Sequence, residues 1–123
     1  MARTPQLKGF LGALKDERVA RALAALHRRP GAGWRVHTLA REAGMSRTLF
    51  AERFAALLGR TPMQYLAAWR MHLADEMLTA GRASVAQVAE RFGYQTETAF
   101  RRAFKRVRGI GPGEVRRRAR DGT

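Results

Sequence analysis

Apolar residues recur along much of the chain with the three- and four-residue spacing of amphipathic α-helices. Near the start, Val19, Leu23 and Leu26 would share one face of a helix. Asp16 is placed to cap this helix, which should end at about Arg28. The same spacing returns in every later segment, so the pattern predicts an all-α protein.

The central segment, TPMQYLAAWRMHLADEMLTAG, predicts one long helix from Pro62 to about Thr79. Thr61 and Gln64 form a capping-box pair, Pro62 suits the first helical position, and Gly81 can end the helix. At 1.5 Å per residue the helix would span about 27 Å. Its apolar stripe is expected to contain Leu66, Trp69, Leu73 and Met77, with Ala67, Met71, Ala74 and Leu78 beside it.

The segments on either side of this helix form an internal repeat. LAREAGM at residues 39–45 matches VAERFGY at residues 88–94, and one inserted residue then changes the offset from 49 to 50. With this offset Phe50, Phe54, Gly59 and Pro62 correspond to Phe100, Phe104, Gly109 and Pro112. One small structural unit therefore occurs twice.

The second copy predicts two helices that meet at a tight corner. Ser84 and Gln87 form a capping box at the start of the first helix, which should end near Phe92 because Gly93 can adopt a left-handed conformation. Thr96 can cap the next helix. Phe100, Phe104 and Val107 are expected on its buried face.

The first copy predicts the same arrangement, with a helix at 36–43, a corner at Gly44 and Ser46 as the next cap. The inward face should contain Phe50, Phe54 and Leu57. Arg35 takes the place of the capping Ser84, and because its side chain cannot accept an amide hydrogen bond, this helix end should fray more easily.

Two helices joined by a short glycine-containing turn are typical of a helix-turn-helix unit, whose second helix enters the DNA major groove. We therefore predict two homeodomain-like helix-turn-helix lobes joined by a central linker helix, with about seven helices in all. Trp34 and Trp69 are expected in the core. The predicted segments are an N-terminal arm at 1–15, a first lobe at 16–60, the linker helix at 61–80, a second lobe at 84–118 and a basic tail at 119–123, with RRRARDGT as a frayed end.

The composition favours a nucleic-acid partner. The chain of 123 residues carries a net charge of +14, and 21 of its 24 basic residues are arginine. The planar guanidinium group fits phosphates and guanine edges with two hydrogen bonds, so the arginine excess favours DNA or RNA over general solubility.

Other functional classes receive little support. The chain has no cysteine, and His27, His37 and His72 lack metal-binding spacing, so we predict no metal, no cofactor and no enzymatic activity. The longest run without a charged residue is nine residues, Thr61 to Trp69, so a soluble cytoplasmic protein without membrane contact is expected. No small-molecule site is evident.

Helical geometry selects the residues that face outward in the second recognition helix. Arg102 is the best candidate to read guanine, Thr98 could contact a thymine methyl group, and Glu97 could accept a hydrogen bond from cytosine. Arg101 and Lys105 are expected to bind phosphates.

The first recognition helix has fewer hydrogen-bond donors on its outward face. Thr48 and Ala51 offer apolar contact, Glu52 could accept from cytosine or repel the backbone, and Arg47 is a phosphate candidate. Residues 35–59 carry a net charge of +2 and residues 84–123 a net charge of +6. The second lobe should therefore supply more of the nonspecific affinity, while the first is expected to supply discrimination.

A set of motif residues makes the chain resemble the AraC/XylS family of bacterial transcription regulators over about residues 16–118. These residues are Ser46, Phe50, Phe54, Gly59, Pro62 and Tyr65 in the first copy, and Ala89, Gly93, Tyr94, Phe100, Arg102, Phe104, Lys105, Gly109 and Pro112 in the second. The resemblance implies a seven-helix, two-lobed DNA-binding domain, commonly of an activator that contacts RNA polymerase at a promoter in the bacterial nucleoid. The family also uses the positions of Glu97, Thr98 and Arg102 for base contacts.

The chain departs from the family pattern in two ways. Val115 stands where family members often carry an aromatic residue after the final proline, so the last helix should dock less firmly. About 34 residues precede the first unit, too few for the sensor domain that many members carry. The chain is thus expected to be either a stand-alone member or the C-terminal piece of a longer regulator.

Two other classes remain open. A structural DNA- or RNA-binding protein would bind through charge alone, with strong salt dependence and no sequence preference. A protein-interaction module would not bind DNA. Neither class explains why the glycine corner, the capping residue and the phenylalanines recur about 50 residues apart.

Overall fold

The computed structural model describes residues 16–122, so the predicted N-terminal arm at 1–15 and Thr123 lie outside the described residues. This part of the chain contains α-helices and no β-strand, which confirms the all-α prediction. The seven helices are α1 (Glu17–Arg28), α2 (Val36–Ala43), α3 (Arg47–Leu58), α4 (Pro62–Ala80), α5 (Val85–Arg91), α6 (Glu97–Arg108) and α7 (Pro112–Asp121).

The described residues divide into two compact units on either side of the boundary between Leu66 and Ala67, and from here on the first and the second lobe mean these two units. The long helix α4 contributes its first five residues to the first lobe and the remainder to the second. Each lobe has a core of its own.

The first lobe packs α1 against α2 and α3. Its core is made of apolar side chains that recur at helical spacing on these helices and at the start of α4. The fully buried larger residues are Val19, Leu23, Leu26, Leu39, Phe50, Phe54 and Leu66.

The second lobe packs α6 against α5 and α7 around one hydrophobic cluster to which α4 contributes. Phe92, Phe100 and Phe104 are buried in this cluster, which confirms the predicted burial of Phe100 and Phe104. Val115 packs against the cluster from α7 and is only partly buried.

Helix starts follow the capping residues predicted from the sequence. Asp16 Oδ1 accepts hydrogen bonds from the N–H groups of Arg18 and Val19 at 3.1 and 3.2 Å. Reciprocal capping boxes join Thr61 to Gln64 and Ser84 to Gln87, while Ser46 and Thr96 cap the two recognition helices. These side chains satisfy amide groups that would otherwise lack partners at the helix ends.

The two corners use glycine in the left-handed conformation, with φ of 70° at Gly44 and 82° at Gly93. In both corners the residue after the glycine donates a hydrogen bond to a carbonyl of the preceding helix. The Met45 N–H donates to Ala40 O and the Tyr94 N–H to Ala89 O, each at 3.0 Å. Such left-handed closures favour glycine because a Cβ atom would be strained there.

The prediction that the N-terminus of α2 frays because Arg35 cannot cap it needs refinement. The Arg35 side chain accepts no hydrogen bond at the start of α2, as expected for a guanidinium group. However, Thr38 Oγ1 accepts the hydrogen bond of the Arg35 N–H at 2.9 Å, so half of a capping box is present. The N-terminus of α2 is therefore better satisfied than the sequence suggests.

Two predictions of burial were wrong. Val107 is exposed at 45%, and Ala103 on α6 is buried instead. Trp34 and Trp69 are partly buried rather than core residues. The wide apolar stripe predicted on α4 is present, with Met71, Ala74 and Leu78 fully buried in the second lobe and Leu73 and Met77 partly buried beside them.

The errors at Val107 and Trp69 have a common physical cause, because helical periodicity gives the direction of a side chain but not the position of the neighbouring helix. Val107 points in nearly the same direction as Phe100 but lies two turns later, beside an open cavity lined in part by Ile110 and Val115. Leu57, at the corresponding end of α3, is likewise only partly buried.

The predicted frayed end was also wrong, because α7 continues to Asp121. Arg116 Nε donates to Ala83 O at 2.9 Å, and Glu114 pairs with both Arg117 and Arg118 one turn further along the helix. Helical ion pairs of this spacing each add a few tenths of a kcal/mol, about 0.2–0.5. The basic residues of the C-terminal segment therefore belong to a helix.

Candidate nucleic-acid interface

The recognition helix of the first lobe is α3, which is anchored by two buried aromatic rings. The ring centroids of Phe50 and Phe54 lie 5.6 Å apart, and Tyr65 meets Phe54 edge-on at 5.7 Å. Because these rings face the core, the opposite side of α3 faces outward. We define the outer face of α3 as Arg47, Thr48, Ala51 and Glu52, of which Ala51 is partly buried and the others are exposed.

All four of these predicted residues line a single open cavity of about 650 Å³, which we call the α3 groove. Four further residues complete its lining, namely Arg35, Val36 and His37 at the start of α2 and Met63 at the start of α4. These four residues were not among those predicted from the sequence. They lie in the first turns of neighbouring helices, a position that exposes side chains and amide groups, but nothing in their spacing indicates a shared cavity.

An ion pair ties the inner side of α3 to α1. Arg53 donates to Asp16 Oδ2 from Nε at 3.0 Å and from Nη2 at 2.5 Å. The Asp16 side chain is only 5% exposed, while that of Arg53 is 49% exposed. Asp16 was predicted as a helix cap, but its ion pair with Arg53 was not predicted. Both residues lie next to core positions in the sequence.

The environment of Asp16 keeps its carboxylate ionised. Burial works to raise the pKa of this group. The hydrogen bond from the Val19 amide and the hydrogen bonds and charge of Arg53 outweigh burial, so the pKa lies below its ordinary value. The charged form of Asp16 is thus the one that holds α3.

A second polar contact in the first lobe joins the end of α1 to the start of α4. His27 Nε2 and the Tyr65 hydroxyl are 2.7 Å apart, and the two rings stack with centroids at 5.7 Å. Burial lowers the pKa of His27 and raises that of Tyr65, so both groups favour their neutral forms.

The recognition helix of the second lobe is α6, which is anchored in the same way as α3. Phe100 and Phe104 lie 5.7 Å apart between ring centroids, and Tyr94 meets Phe100 edge-on at 5.4 Å. The outer face of α6 consists of Glu97, Thr98, Arg101, Arg102 and Lys105, all of which are exposed.

The charged residues of this outer face fall into two groups. Arg101 pairs with Glu97 on the same helix, with N–O distances of 2.6 and 2.8 Å. Within residues 16–122, the side chains of Arg102 and Lys105 form no hydrogen bond or ion pair. Two cationic groups are therefore available to an external ligand, while Arg101 is already partly neutralised.

An ion pair also ties α6 to α4, from Arg108 to Asp75. Its carboxylate is more accessible than that of Asp16, at 23% exposed against 5%. The recognition helices of both lobes are thus held by an Arg–Asp pair, at different depths.

The described residues show no sign of two other kinds of site. No group of three or more His, Asp or Glu residues within 16–122 is arranged to hold a metal ion. In the same part of the chain, no helix has both the length and the apolar character that crossing a bilayer requires.

Comparison with known proteins places this geometry in context. A family profile described as a helix-turn-helix domain matches residues 39–118. An AraC-like transcription regulator of Streptomyces lividans is 43% identical over 118 residues, which are 95% of this chain and 39% of that protein. The RCS-specific HTH-type transcriptional activator RclR of Escherichia coli K12 is 36% identical over 113 residues, covering 92% of this chain and 40% of RclR.

The fold also matches solved structures. The DNA-binding domain of AdpA, a global transcriptional factor solved in complex with a target DNA, is 34% identical and superimposes with a TM-score of 0.79. The match covers 86% of this chain and 97% of that domain. The chain thus spans about two fifths of the length of the two regulators named above and nearly all of a solved DNA-binding domain.

Proposed function

The chain belongs to the AraC family of transcription regulators and corresponds to its DNA-binding domain, and on this premise we propose that it recognises promoter DNA by inserting α3 and α6 into successive major grooves. The observation that carries the proposal is the outer face of α6. There Thr98, Arg102 and Lys105 project from a helix whose opposite side is fixed by Phe100 and Phe104.

The chemistry of this outer face suggests separate roles for its residues. The fork of Arg102 matches the two acceptors of guanine in the major groove, and a contact of this kind discriminates by about 1–3 kcal/mol. Lys105 offers a point charge suited to a phosphate. Glu97 and Thr98 are proposed to contact bases, and the pairing of Arg101 with Glu97 reduces the repulsion between that carboxylate and the DNA.

The length of α4 supports recognition of two boxes. Its 19 residues correspond to about 28 Å of continuous helix. Two recognition helices on one face of DNA read half-sites about 34 Å apart, one helical turn. We therefore propose that the target has two short boxes with this spacing.

A selection experiment tests the proposal. Fragments bound from a random DNA library at about 150 mM salt should be enriched in two boxes about one turn apart, because nonspecific attraction is largely screened at that salt concentration. Binding without any enriched sequence would instead favour a nonspecific basic protein. Failure to bind DNA would contradict both readings.

A pair of variants then tests the roles on α6. Arg102→Ala should relax the preference at one base pair and weaken the selected site by about 1–3 kcal/mol. Lys105→Ala should weaken all sequences alike and reduce the salt slope by about one unit. Identical behaviour of the two variants would contradict the division into base and phosphate contacts.

We also propose that the protein acts in the cytoplasm, at the nucleoid, as an activator that contacts RNA polymerase. The support comes from RclR, which carries the name of a transcriptional activator. A reporter gene placed downstream of the selected boxes should rise in expression when the protein is supplied. A fall in expression would assign the protein to repressors instead.

A further inference from the structure

The α3 groove has an apolar floor and a charged rim. Val36, Ala51 and Met63 are partly buried, whereas Arg35, His37, Arg47, Thr48 and Glu52 are exposed. The apolar side chains come from the starts of α2 and α4 and from the middle of α3, so three helices contribute to one floor.

The corresponding place in the second lobe is occupied by a cation. In the repeat, Ala51 corresponds to Arg101 and Met63 to Gly113. A Cβ atom on Gly113 would lie 3.5 Å from Arg101 Nη1, so the guanidinium group lies over the residue that replaces Met63. Val36 corresponds to Val85, which is buried, with only 9% of its surface exposed. Of the two lobes, only the first therefore has an open apolar floor at this place.

The chemistry of the DNA major groove restricts what this floor can read. Guanine, cytosine and adenine present hydrogen-bond donors and acceptors at that edge, while thymine adds an apolar group, its C5 methyl. The floor offers no donor or acceptor side chain except the neighbouring Thr48 and Glu52, so it discriminates through apolar contact. The rim suits the same ligand, since Arg35 and Arg47 can approach the phosphates on either side of the base.

We propose that the first lobe selects thymine by its C5 methyl group, which packs on Val36, Ala51 and Met63 in the α3 groove. This inference rests on the proposed function and assigns the two lobes different chemistries. The second lobe reads guanine through the hydrogen bonds of Arg102, and the first lobe reads thymine through apolar contact.

The selected DNA provides the test, because deoxyuridine pairs like thymine and lacks only the methyl group. Selection repeated with Arg102→Ala first identifies the box of the second lobe as the one whose preference relaxes. Thymines in the other box are then replaced one at a time by deoxyuridine. At one or two positions the dissociation constant should rise about three- to fivefold per methyl, as expected for loss of one buried methyl group.

A protein variant makes the assignment specific to the groove. Met63→Gln keeps the length of the side chain and makes the floor polar, so the difference between thymine and deoxyuridine should fall to near onefold in this variant. Arg101→Ala serves as the matched control in the second lobe and should leave the difference intact. Circular dichroism and thermal unfolding of Met63→Gln verify that the variant is folded; Met63→Leu, which keeps the floor apolar, should retain the difference.

Several outcomes would overturn the inference and leave the proposed function standing. These are a first-lobe box without thymine, equal affinity for thymine and deoxyuridine at every position, or a cytosine preference that Glu52→Gln abolishes. Absence of any selected box would remove the proposed function together with this inference.

Discussion

The two lobes share their inner construction and differ on their outer faces. Both anchor the recognition helix with phenylalanines four residues apart, cap it with Ser46 or Thr96, and precede it with a left-handed glycine. Outside, α3 borders an apolar groove, whereas the outer face of α6 presents two cations, Arg102 and Lys105, without partners among the described residues. Core positions are constrained by packing, while outward positions are constrained only by what the helix binds.

The depth of the Arg–Asp pairs adds a second difference. The carboxylate in the first lobe is buried and also caps α1, while that in the second lobe is more exposed. The ion pair that holds the recognition helix is thus more deeply buried in the first lobe than in the second.

Removal of one phenylalanine from each core tests whether the inner construction is equivalent. Phe50→Ala and Phe100→Ala should each cost about 3–5 kcal/mol, because both side chains are fully buried. Hydrogen exchange should show loss of protection mainly in the altered lobe. Val107→Ala, at an exposed position, is the control and should change stability by less than about 0.5 kcal/mol. Unequal losses for the two phenylalanines would contradict the equivalence of the cores.

Removal of the two carboxylates tests the difference in depth. Asp16→Ala should cost about 1–3 kcal/mol in denaturant unfolding, because it removes both a helix cap and charge-assisted hydrogen bonds. Asp75→Ala should cost at most about 1 kcal/mol, since exposed ion pairs contribute little. Equal losses of stability would show that the deeper burial of Asp16 does not increase its contribution to the free energy of unfolding.

Exchange of the capping residues tests the refined view of α2. Arg35→Ser should complete the capping box with Thr38 and stabilise the first lobe by about 0.5–1 kcal/mol, whereas Ser84→Ala should destabilise the second by about 1 kcal/mol. Thermal unfolding measures both. Destabilisation by Arg35→Ser would mean that the arginine makes contacts that matter more than the cap.

A pH titration tests the contribution of the neutral His27–Tyr65 contact to the stability of the first lobe, which is expected to be small. Since burial lowers the pKa of His27 in the folded state, the unfolded chain binds its proton at higher pH. Stability should therefore fall as the pH drops below about 6.5, the ordinary value for histidine. The loss should be smaller in His27→Gln, measured by urea unfolding at pH 7.5 and 5.5. An unchanged pH dependence in this variant would exclude His27 as its source.

Much of the fold could be predicted because its signals are local. A capping hydroxyl, an amide three residues later and a glycine at the helix end lie close together in sequence, so their contacts follow from chain geometry alone. This is why the starts of α4, α5 and α6 were predicted to the residue. The repeat then supplied the correspondence between the lobes without any structure.

Predictions of burial on the long helix and at helix ends failed because they depend on neighbours. The sequence indicated a wide apolar surface on α4, but the choice of Met71 and Leu78 over Leu73 and Met77 depends on where α5 and α6 pack. Val107 shows the same limit, since the end of α6 extends beyond the core although its apolar spacing continues.

For the candidate site, the outward-facing residues of α3 and α6 could be predicted from the sequence alone, because the buried phenylalanines fix the rotation of each helix. By contrast, the groove lined by Val36, Ala51 and Met63 and the hydrogen bonds between Arg53 and Asp16 are visible only in the folded structure. These residues are far apart in the chain, so their meeting depends on the packing of whole helices, which no local pattern records.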